Sequence, residues 1–256
     1  MSYKKTYSSR FSEFDAAYNN MDWAVEQIVL GQARSLVAKG PGGVGKTYNI
    51  EASLAQYAGD AWIKINNKTT ALDLYIELYR FREQGCIVFL DDADSIYNDT
   101  DGINLLKAAM DSIPVRTLNW HTKTHFLAAA GVPTSFEFNG GVIIATNVGY
   151  DNQNPRMLKK LSALDTRGYQ SILARPTIDD EMAMVCYMVY AKGMLANRKL
   201  TDREVTLLLD WVDANKQVKA VNLRALDTLC NIYMADKQNW QARAQGLLPQ
   251  RSGGAK

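Results

Sequence analysis

The stretch GPGGVGKT, residues 40–47, fits the spacing G-x-x-x-x-G-K-[S/T] and decides the predicted fold. An apolar run, SLVA at residues 35–38, precedes it, and a helical pattern, TYNIEASLAQYA, follows. A glycine-rich loop between a strand and a helix can turn its backbone N–H groups toward an anion, and the helix N-terminus adds partial positive charge. The sequence therefore predicts a phosphate-binding loop.

The loop also carries side chains suited to a nucleotide. Lys46 would reach the β- and γ-phosphates, and the Thr47 hydroxyl would ligate Mg²⁺. The alternative is a glycine turn with a solvated lysine, which the strand, the helix and a downstream acidic strand end together disfavour. The predicted nucleotide-binding residues are Gly40, Pro41, Gly42, Gly43, Val44, Gly45, Lys46, Thr47 and Tyr48.

A second motif, CIVFLDD at residues 86–92, is an apolar run that ends in two carboxylates. Asp91, at the end of a predicted buried strand, is placed to hold Mg²⁺ through water, which makes Thr47 and Asp91 the predicted metal residues. Asp92 is placed to polarise an attacking water. The alternative is an acidic turn in which Asp94 or Ser95 caps a helix.

Strand and helix patterns alternate around these motifs. AWIKI, CIVFLDD, GVIIATN and YQSILA read as strands separated by helical segments, so an α/β fold with a mainly parallel sheet is predicted. After Arg175 and Pro176 the pattern becomes wholly helical. We therefore predict a nucleotide-binding domain at residues 1–175, a helical domain at 176–245 and a flexible tail at 246–256.

Composition sets limits on location and partners. With 29 Lys and Arg against 27 Asp and Glu, the net charge of +2 gives no global field toward polyanions, so any such surface must be local. No apolar run approaches the length of a membrane span, and the first residues lack a signal-peptide core. A cytoplasmic protein without a membrane partner is predicted, with reduced thiols in its core at Cys86, Cys186 and Cys230.

The motifs and their order resemble those of the AAA+ ATPases. GPGGVGKT is similar to the Walker A motif, and CIVFLDD to Walker B. The resemblance implies sensor 1 at Asn147 in GVIIATN, an arginine finger at Arg167 in LSALDTRG, and sensor 2 at Arg224 in VNLRALDTL. It also implies a P-loop three-layer αβα domain with a helical lid. ATP and Mg²⁺ are the implied cofactors, and a ring or spiral, commonly a hexamer, the implied homo-oligomer.

These three residues have alternative interpretations. Asn147 could be a turn residue at a strand end, Arg167 a surface arginine, and Arg224 the partner of Asp227 three residues further along a helix. Other cations compete for the finger position: Arg156, Lys159, Lys160 and Arg175.

Asp92 departs from the pattern of the family, most of whose members carry glutamate after the Walker B aspartate. The missing methylene moves the carboxylate by about 1.5 Å, which is enough to slow the activation of water. Replication initiators and bacterial helicase loaders in the family also carry Asp-Asp. Slow, switch-like hydrolysis and inactivity both stay open at this point.

The segment between Asp92 and Asn147 is longer than one helix and one strand require, and the additional residues are 114–140. VRTLNW and TSFEFNG can pair as a hairpin, as occurs before sensor 1 in the branch-migration and replicative-helicase clades. Interleaved cations and aromatic rings suit single-stranded nucleic acid, so a DNA contact through residues 116–126 is predicted. In the alternative, the rings pack on the sheet and leave the cations solvated. The residues concerned are Arg116, Trp120, His121, Lys123, His125, Phe126, Phe136 and Phe138.

The predicted function is that of a Mg-ATP-hydrolysing, oligomeric AAA+ ATPase. The chain is similar to minimal phage and plasmid modules of the replication-initiator, helicase-loader and branch-migration kind. Such a module would remodel DNA or load a helicase or replication factor in a bacterial or phage-infected cytoplasm. The alternatives are a protein remodeller, although INNKTTALD lacks the usual aromatic-hydrophobic-glycine triplet, and a non-hydrolysing assembly switch or scaffold.

Overall fold

The computed structural model describes residues 3–122, 125–149, 154–173 and 177–251. The chain divides into an α/β unit, residues 17–41 and 46–173, and a helical unit, residues 1–16, 42–45 and 174–256. Lys123, Arg175 and the predicted boundary at residue 176 lie outside the described residues.

The strands of the α/β unit are β1 (Ser35–Lys39), β2 (Trp62–Asn66), β3 (Ile87–Asp91), β4 (Thr117–Asn119), β5 (Ser135–Glu137), β6 (Gly141–Thr146) and β7 (Tyr169–Ile172). Five of them form a parallel sheet in the order β2-β3-β6-β1-β7. Every residue of the central strand β6 is buried, and β1 and β3 are buried up to their last residue. A parallel sheet covered by helices requires such continuous apolar strands. The predicted α/β fold is confirmed.

The described helices are α1 (Tyr3–Tyr7), α2 (Phe11–Val29), α3 (Lys46–Tyr57), α4 (Ala71–Arg80), α5 (Thr100–Ala109), α6 (His125–Ala129), α7 (Pro155–Asp165), α8 (Ile178–Tyr190), α9 (Asp202–Asn215), α10 (Leu223–Ala235) and α11 (Trp240–Leu247). Short 3-10 helices occupy Ser8–Arg10, Asp94–Asn98 and Ala196–Arg198. No helix in the described part of the chain is long and apolar enough to cross a membrane.

Polar caps set the beginnings of several helices. The Asp99 side chain accepts from the N–H groups of Asp101 and Gly102, so α5 begins earlier than its apolar pattern suggests. The helix α7 was not among the predicted segments, although its buried residues Met157, Leu161 and Leu164 follow helical spacing. Its other signal is Asn154, whose side chain caps the first turn and is followed by proline at the first helical position.

Residues 114–140 contain an antiparallel pair, β4 and β5, with Leu118 opposite Phe136 and α6 between the strands. Phe136 and Phe138 are buried, and the Trp120 ring lies 5.5 Å from that of Tyr75. These rings pack on the α/β unit, as the alternative interpretation of the segment proposed.

The predicted contact between DNA and Arg116 is wrong, because this side chain is only 1% exposed. Its guanidinium donates to the carbonyl oxygens of Ala109 and of Gly140, the latter at 2.9 Å, and lies 4.9 Å from the centre of the Phe138 ring. Burial and the nearby Arg34 lower the pKa of Arg116 to about 10. Arg116 is therefore a structural residue of the hairpin.

The helical unit is organised around α8, nine of whose residues are buried. Met182, Met184 and Met188 pack there as core residues. Cys186 and Cys230 are also buried, and burial raises the pKa of these thiols to about 12 and about 11. These two thiols lie in the core, as their apolar sequence context predicted.

Asp180, in the first turn of α8, binds the N-terminal segment within the same unit. Its carboxylate pairs with Arg10 and accepts from the Thr177 hydroxyl, and its side chain is 8% exposed. Burial acts to raise the pKa of Asp180, but the hydrogen bonds of Thr177 and Arg10 outweigh it, and the net shift is downward. The carboxylate is therefore stabilised in its charged form.

Asp180→Asn is expected to lower the free energy of unfolding at neutral pH by about 1–3 kcal/mol, because Arg10 loses its partner. Since the folded pKa lies below the unfolded one, this stabilisation is present above the unfolded pKa, about 3.9, and disappears as the pH falls through the folded pKa. Urea unfolding between about pH 7 and about pH 2.5 measures it. Asp179→Asn, at a neighbouring side chain 73% exposed, is the control. Equal pH slopes for wild type and Asp180→Asn would contradict the assignment.

Candidate functional site

The glycine-rich loop occupies residues 40–45, between the end of β1 at Lys39 and the beginning of α3 at Lys46. Gly43 has φ +78° and Gly45 has φ +87°. Residues other than glycine rarely adopt this left-handed backbone conformation, which explains why the motif has glycine at these two positions. The Gly40 N–H donates to the Thr146 carbonyl oxygen at 3.3 Å and joins the loop to the end of β6.

Lys46 is the first residue of α3 and is 6% exposed. Its ammonium group donates to the carbonyl oxygens of Gly40, at 2.7 Å, and Pro41, at 2.9 Å. The lysine is thus held against the loop and is not a solvated surface residue. Tyr48, the last predicted residue of the loop, is 71% exposed.

Thr47 and Asp91 meet at the carboxyl edge of the sheet. The Thr47 hydroxyl donates to Asp91 Oδ1 at 2.7 Å, and Asp91 is the last residue of β3. A hydroxyl and a carboxylate are hard oxygen ligands, and Mg²⁺ is usually bound by one or two carboxylates together with substrate phosphates and water. The pair fits that role. The described residues contain no group of three or more His, Cys, Asp and Glu that could hold a metal ion.

Asp92 has φ +49°, although it is not a glycine. Aspartate tolerates the left-handed region better than most residues, and residues held there cluster at functional sites. Its N–H donates to the Ala145 carbonyl oxygen at 3.0 Å, and its side chain is exposed. The β3–β6 register pairs Asp91 with Ala145, so Asp92 and Asn147 follow adjacent strands at the same edge. Ligands of open α/β sheets bind at that edge.

A polar network behind this edge was missed by the sequence analysis. The Thr146 hydroxyl donates to Asp94 Oδ1 at 3.2 Å and accepts from the Val148 N–H at 3.1 Å. Tyr97 is buried nearby, and burial together with the charge of Asp94 raises its pKa. The network ties the turn after β3 to the end of β6. No local sequence pattern could indicate this network, because Asp94 and Thr146, which are hydrogen-bonded, lie 52 positions apart in the chain.

The alternative in which Asp94 or Ser95 caps a helix is wrong. No side chain caps the 3-10 helix Asp94–Asn98, and Asp99 caps α5 instead. The Ser95 hydroxyl accepts from the Thr69 N–H at 3.1 Å.

Arg167 follows α7, and its guanidinium donates back to the Ala163 carbonyl oxygen of that helix. The side chain is half-buried, and its Nε has no hydrogen-bond partner within the described residues. Of the competing cations in the same helix, Arg156 and Lys159 are exposed and Lys160 is half-buried.

Arg224 lies exposed in the first turn of α10. The alternative that pairs it with Asp227 is wrong, because Asp227 pairs with Arg198. Within the same helical unit, which includes residues 42–45, the Leu223 N–H donates to the Gly43 carbonyl oxygen at 2.9 Å. A Cβ on residue 43 would lie 2.9 Å from the Asn222 side chain, a second reason for glycine there.

The α/β unit thus brings several predicted residues to one edge of its sheet. Lys46, Thr47, Asp91, Asp92 and Asn147 lie at the ends of β3 and β6 or at the beginning of α3. A further residue belongs with them that the sequence analysis did not single out. This is Lys64, whose Nζ lies 2.9 Å from Asp91 Oδ2.

A protein of Enterobacteria phage T4 is 31% identical to the chain over 250 residues, which cover 95% of this chain and 77% of the phage protein. The chain belongs to the family of that phage protein. The T4 protein is described as an uncharacterized 36.7 kDa protein in the nrdC-mobD intergenic region. No protein-family model matches the chain.

Solved structures show the relationship at the level of fold. The match to the RuvB Holliday junction branch migration motor of Thermotoga maritima covers 91% of this chain and 68% of the RuvB chain, with a TM-score of 0.52 and 12% sequence identity. A variant of the same motor matches 91% of this chain and 69% of its own, with a TM-score of 0.54 and 12% identity. The chain therefore has a RuvB-like α/β fold with a helical C-terminal region.

Proposed function

We propose that this protein is an oligomeric AAA+ ATPase that hydrolyses ATP with Mg²⁺ and acts in DNA recombination or replication. The observation that carries the proposal is the 2.7 Å bond between the Thr47 hydroxyl and Asp91 Oδ1, next to Lys46, which is buried against the glycine-rich loop. Fold, loop conformation and oxygen ligands all support nucleotide binding at this edge.

Each residue has a distinct role in the proposed reaction. Loop N–H groups and Lys46 bind the phosphates, and Thr47 and Asp91 hold Mg²⁺, which would neutralise charge developing on the phosphates. Asp92 polarises the attacking water and Asn147 orients it. Arg167 of a neighbouring subunit stabilises the transition state, and Arg224 takes the role of sensor 2 that the resemblance to the AAA+ ATPases implies.

The proposed role on DNA has a narrower basis than the ATPase activity. It is supported by the likeness of fold to the RuvB motor and by the relative from phage T4. Without Arg116, the exposed side chains left in the described part of residues 116–126 include His121, His125 and Phe126. A contact with a DNA-bound partner, such as a helicase or replication factor, suits this smaller surface as well.

The decisive experiment measures ATP turnover over a range of protein concentrations, with and without single-stranded, duplex and four-way-junction DNA. We expect turnover per subunit to rise with protein concentration and with DNA, because a finger supplied in trans completes the site only at a subunit interface. Nucleotide binding without turnover under every condition would instead identify an ATP-dependent assembly switch.

Arg167→Ala is expected to reduce turnover about a thousandfold while ATP binding persists. Arg156→Ala, at an exposed cation of α7 that competes for the finger position, should keep turnover near the wild-type value. Mixing the Arg167→Ala and Lys46→Ala variants should restore part of the turnover, because some interfaces then combine an intact loop with an intact finger. Failure of the mixture to exceed either variant alone would assign Arg167 a structural role within its own subunit.

A further inference from the structure

Lys64 bridges two carboxylates beside the proposed metal site. Its Nζ lies 2.9 Å from Asp91 Oδ2 and 2.8 Å from Glu51 Oε1. The β2–β3 register places Lys64 opposite Phe89, two residues before Asp91, and Nζ lies 5.9 Å from the centre of the Phe89 ring. The lysine side chain thus runs along the neighbouring strand toward Asp91.

The helix α3 positions the other partner. Glu51 lies four residues after Thr47, so the two side chains share one face of the helix. Asp91 consequently accepts from Thr47 through Oδ1 and from Lys64 through Oδ2. A lysine ammonium group is positively charged at neutral pH, so Lys64 places a cation directly on Asp91.

We propose that Lys64 competes with Mg²⁺ for Asp91 and that Glu51 holds Lys64 when the metal engages that carboxylate. The inference rests on the proposed function. It identifies Lys64 and Glu51 as residues that set the Mg²⁺ concentration required for nucleotide binding. Two cations near one carboxylate repel each other. The affinity of the site for Mg²⁺ is therefore lower while Lys64 is paired with Asp91. Glu51 relieves this repulsion, because it offers the ammonium group a second partner.

This arrangement predicts opposite effects for its two members. Lys64→Met removes the competing charge and should lower the Mg²⁺ concentration for half-maximal nucleotide binding by about fivefold to tenfold. Glu51→Gln removes the second partner and should raise that concentration by about threefold. Lys64→Arg keeps the charge and should stay within about twofold of wild type.

The measurement is the fluorescence anisotropy of a labelled ATP analogue bound to the full chain, titrated with Mg²⁺ from an EDTA-treated start. Lys216→Met is the matched control, because Lys216 also bridges two carboxylates, Asp179 and Asp213, with a side chain 23% exposed against 24% for Lys64. It lies in the helical unit and should leave the Mg²⁺ requirement unchanged. Thermal unfolding without nucleotide checks that each variant folds.

The proposal would be overturned if Lys64→Met and Glu51→Gln shifted the Mg²⁺ concentration for half-maximal binding in the same direction, or if neither shifted it. In a purely structural bridge, either substitution breaks the same contact and has the same effect. An equal shift in Lys216→Met would overturn it too. If Lys64→Met fails to fold, Glu51→Gln decides alone, since its side chain is 39% exposed and only a raised requirement supports competition. Wild-type protein that binds nucleotide equally well at every Mg²⁺ concentration would refute this inference, whereas the ATP turnover experiment above tests the proposed function separately.

Discussion

Lys46→Ala is expected to reduce ATP turnover at least about a hundredfold and to weaken nucleotide binding. Lys46 is 6% exposed, and its ammonium group is held by the carbonyl oxygens of Gly40 and Pro41, so its charge is already oriented before a phosphate arrives. A preorganised charge of this kind contributes more than a mobile surface cation. Turnover and the affinity for a labelled ATP analogue are the measurements.

The control for this prediction is Lys68→Ala, which removes an exposed lysine from the same unit. It should leave turnover and binding at wild-type values. Retention of nucleotide affinity and turnover by Lys46→Ala would show that the glycine-rich loop is not the phosphate site. The assignments of Thr47 and Asp91, which depend on the loop, would then be abandoned as well.

Arg116→Ala is expected to lower the free energy of unfolding by about 2–4 kcal/mol. The substitution removes the donors to the carbonyl oxygens of Ala109 and Gly140 and the packing of the guanidinium on Phe138. Relief of the burial of one charge offsets part of this loss. Urea unfolding followed by circular dichroism measures the change.

An exposed arginine serves as the matched control, because it distinguishes the effect of burial on the free energy of unfolding from the effect of removing a charge. Arg80 pairs with Glu77 on the surface of α4, with a side chain 56% exposed, so Arg80→Ala should cost less than about 1 kcal/mol. Under conditions in which Arg116→Ala remains folded, its affinity for DNA should equal that of wild type. A variant that is fully stable but binds DNA less tightly would restore the nucleic-acid role of this residue and contradict its structural assignment.

The motifs that could be read from the sequence are those whose residues lie close together along the chain. The glycine spacing before Lys46 is local, and the positive φ angles of Gly43 and Gly45 show why the loop requires it. Buried parallel strands are continuous apolar runs, so β1, β3 and β6 were visible as segments. The parallel α/β fold followed from their alternation with helical patterns.

Other features could not be read because they depend on packing between distant segments. A cation among aromatic residues looks the same in sequence whether it faces water or, like Arg116, fills a gap between carbonyl groups. The helix α7 was overlooked although its signals are local: the polar cap at Asn154, the proline after it, and buried apolar residues at helical spacing.

The buried strands of the parallel sheet, the glycine-rich loop and the carboxylates that follow β3 could all be located from the sequence, because each depends on residues within one turn or one strand. Which side chains meet at the edge of the sheet depends on tertiary packing. The β2–β3 register brings Lys64 to Asp91, and β6 beside β3 brings Thr146 to Asp94. Strand order and register are set by the packing of the whole unit, so no local pattern specifies them.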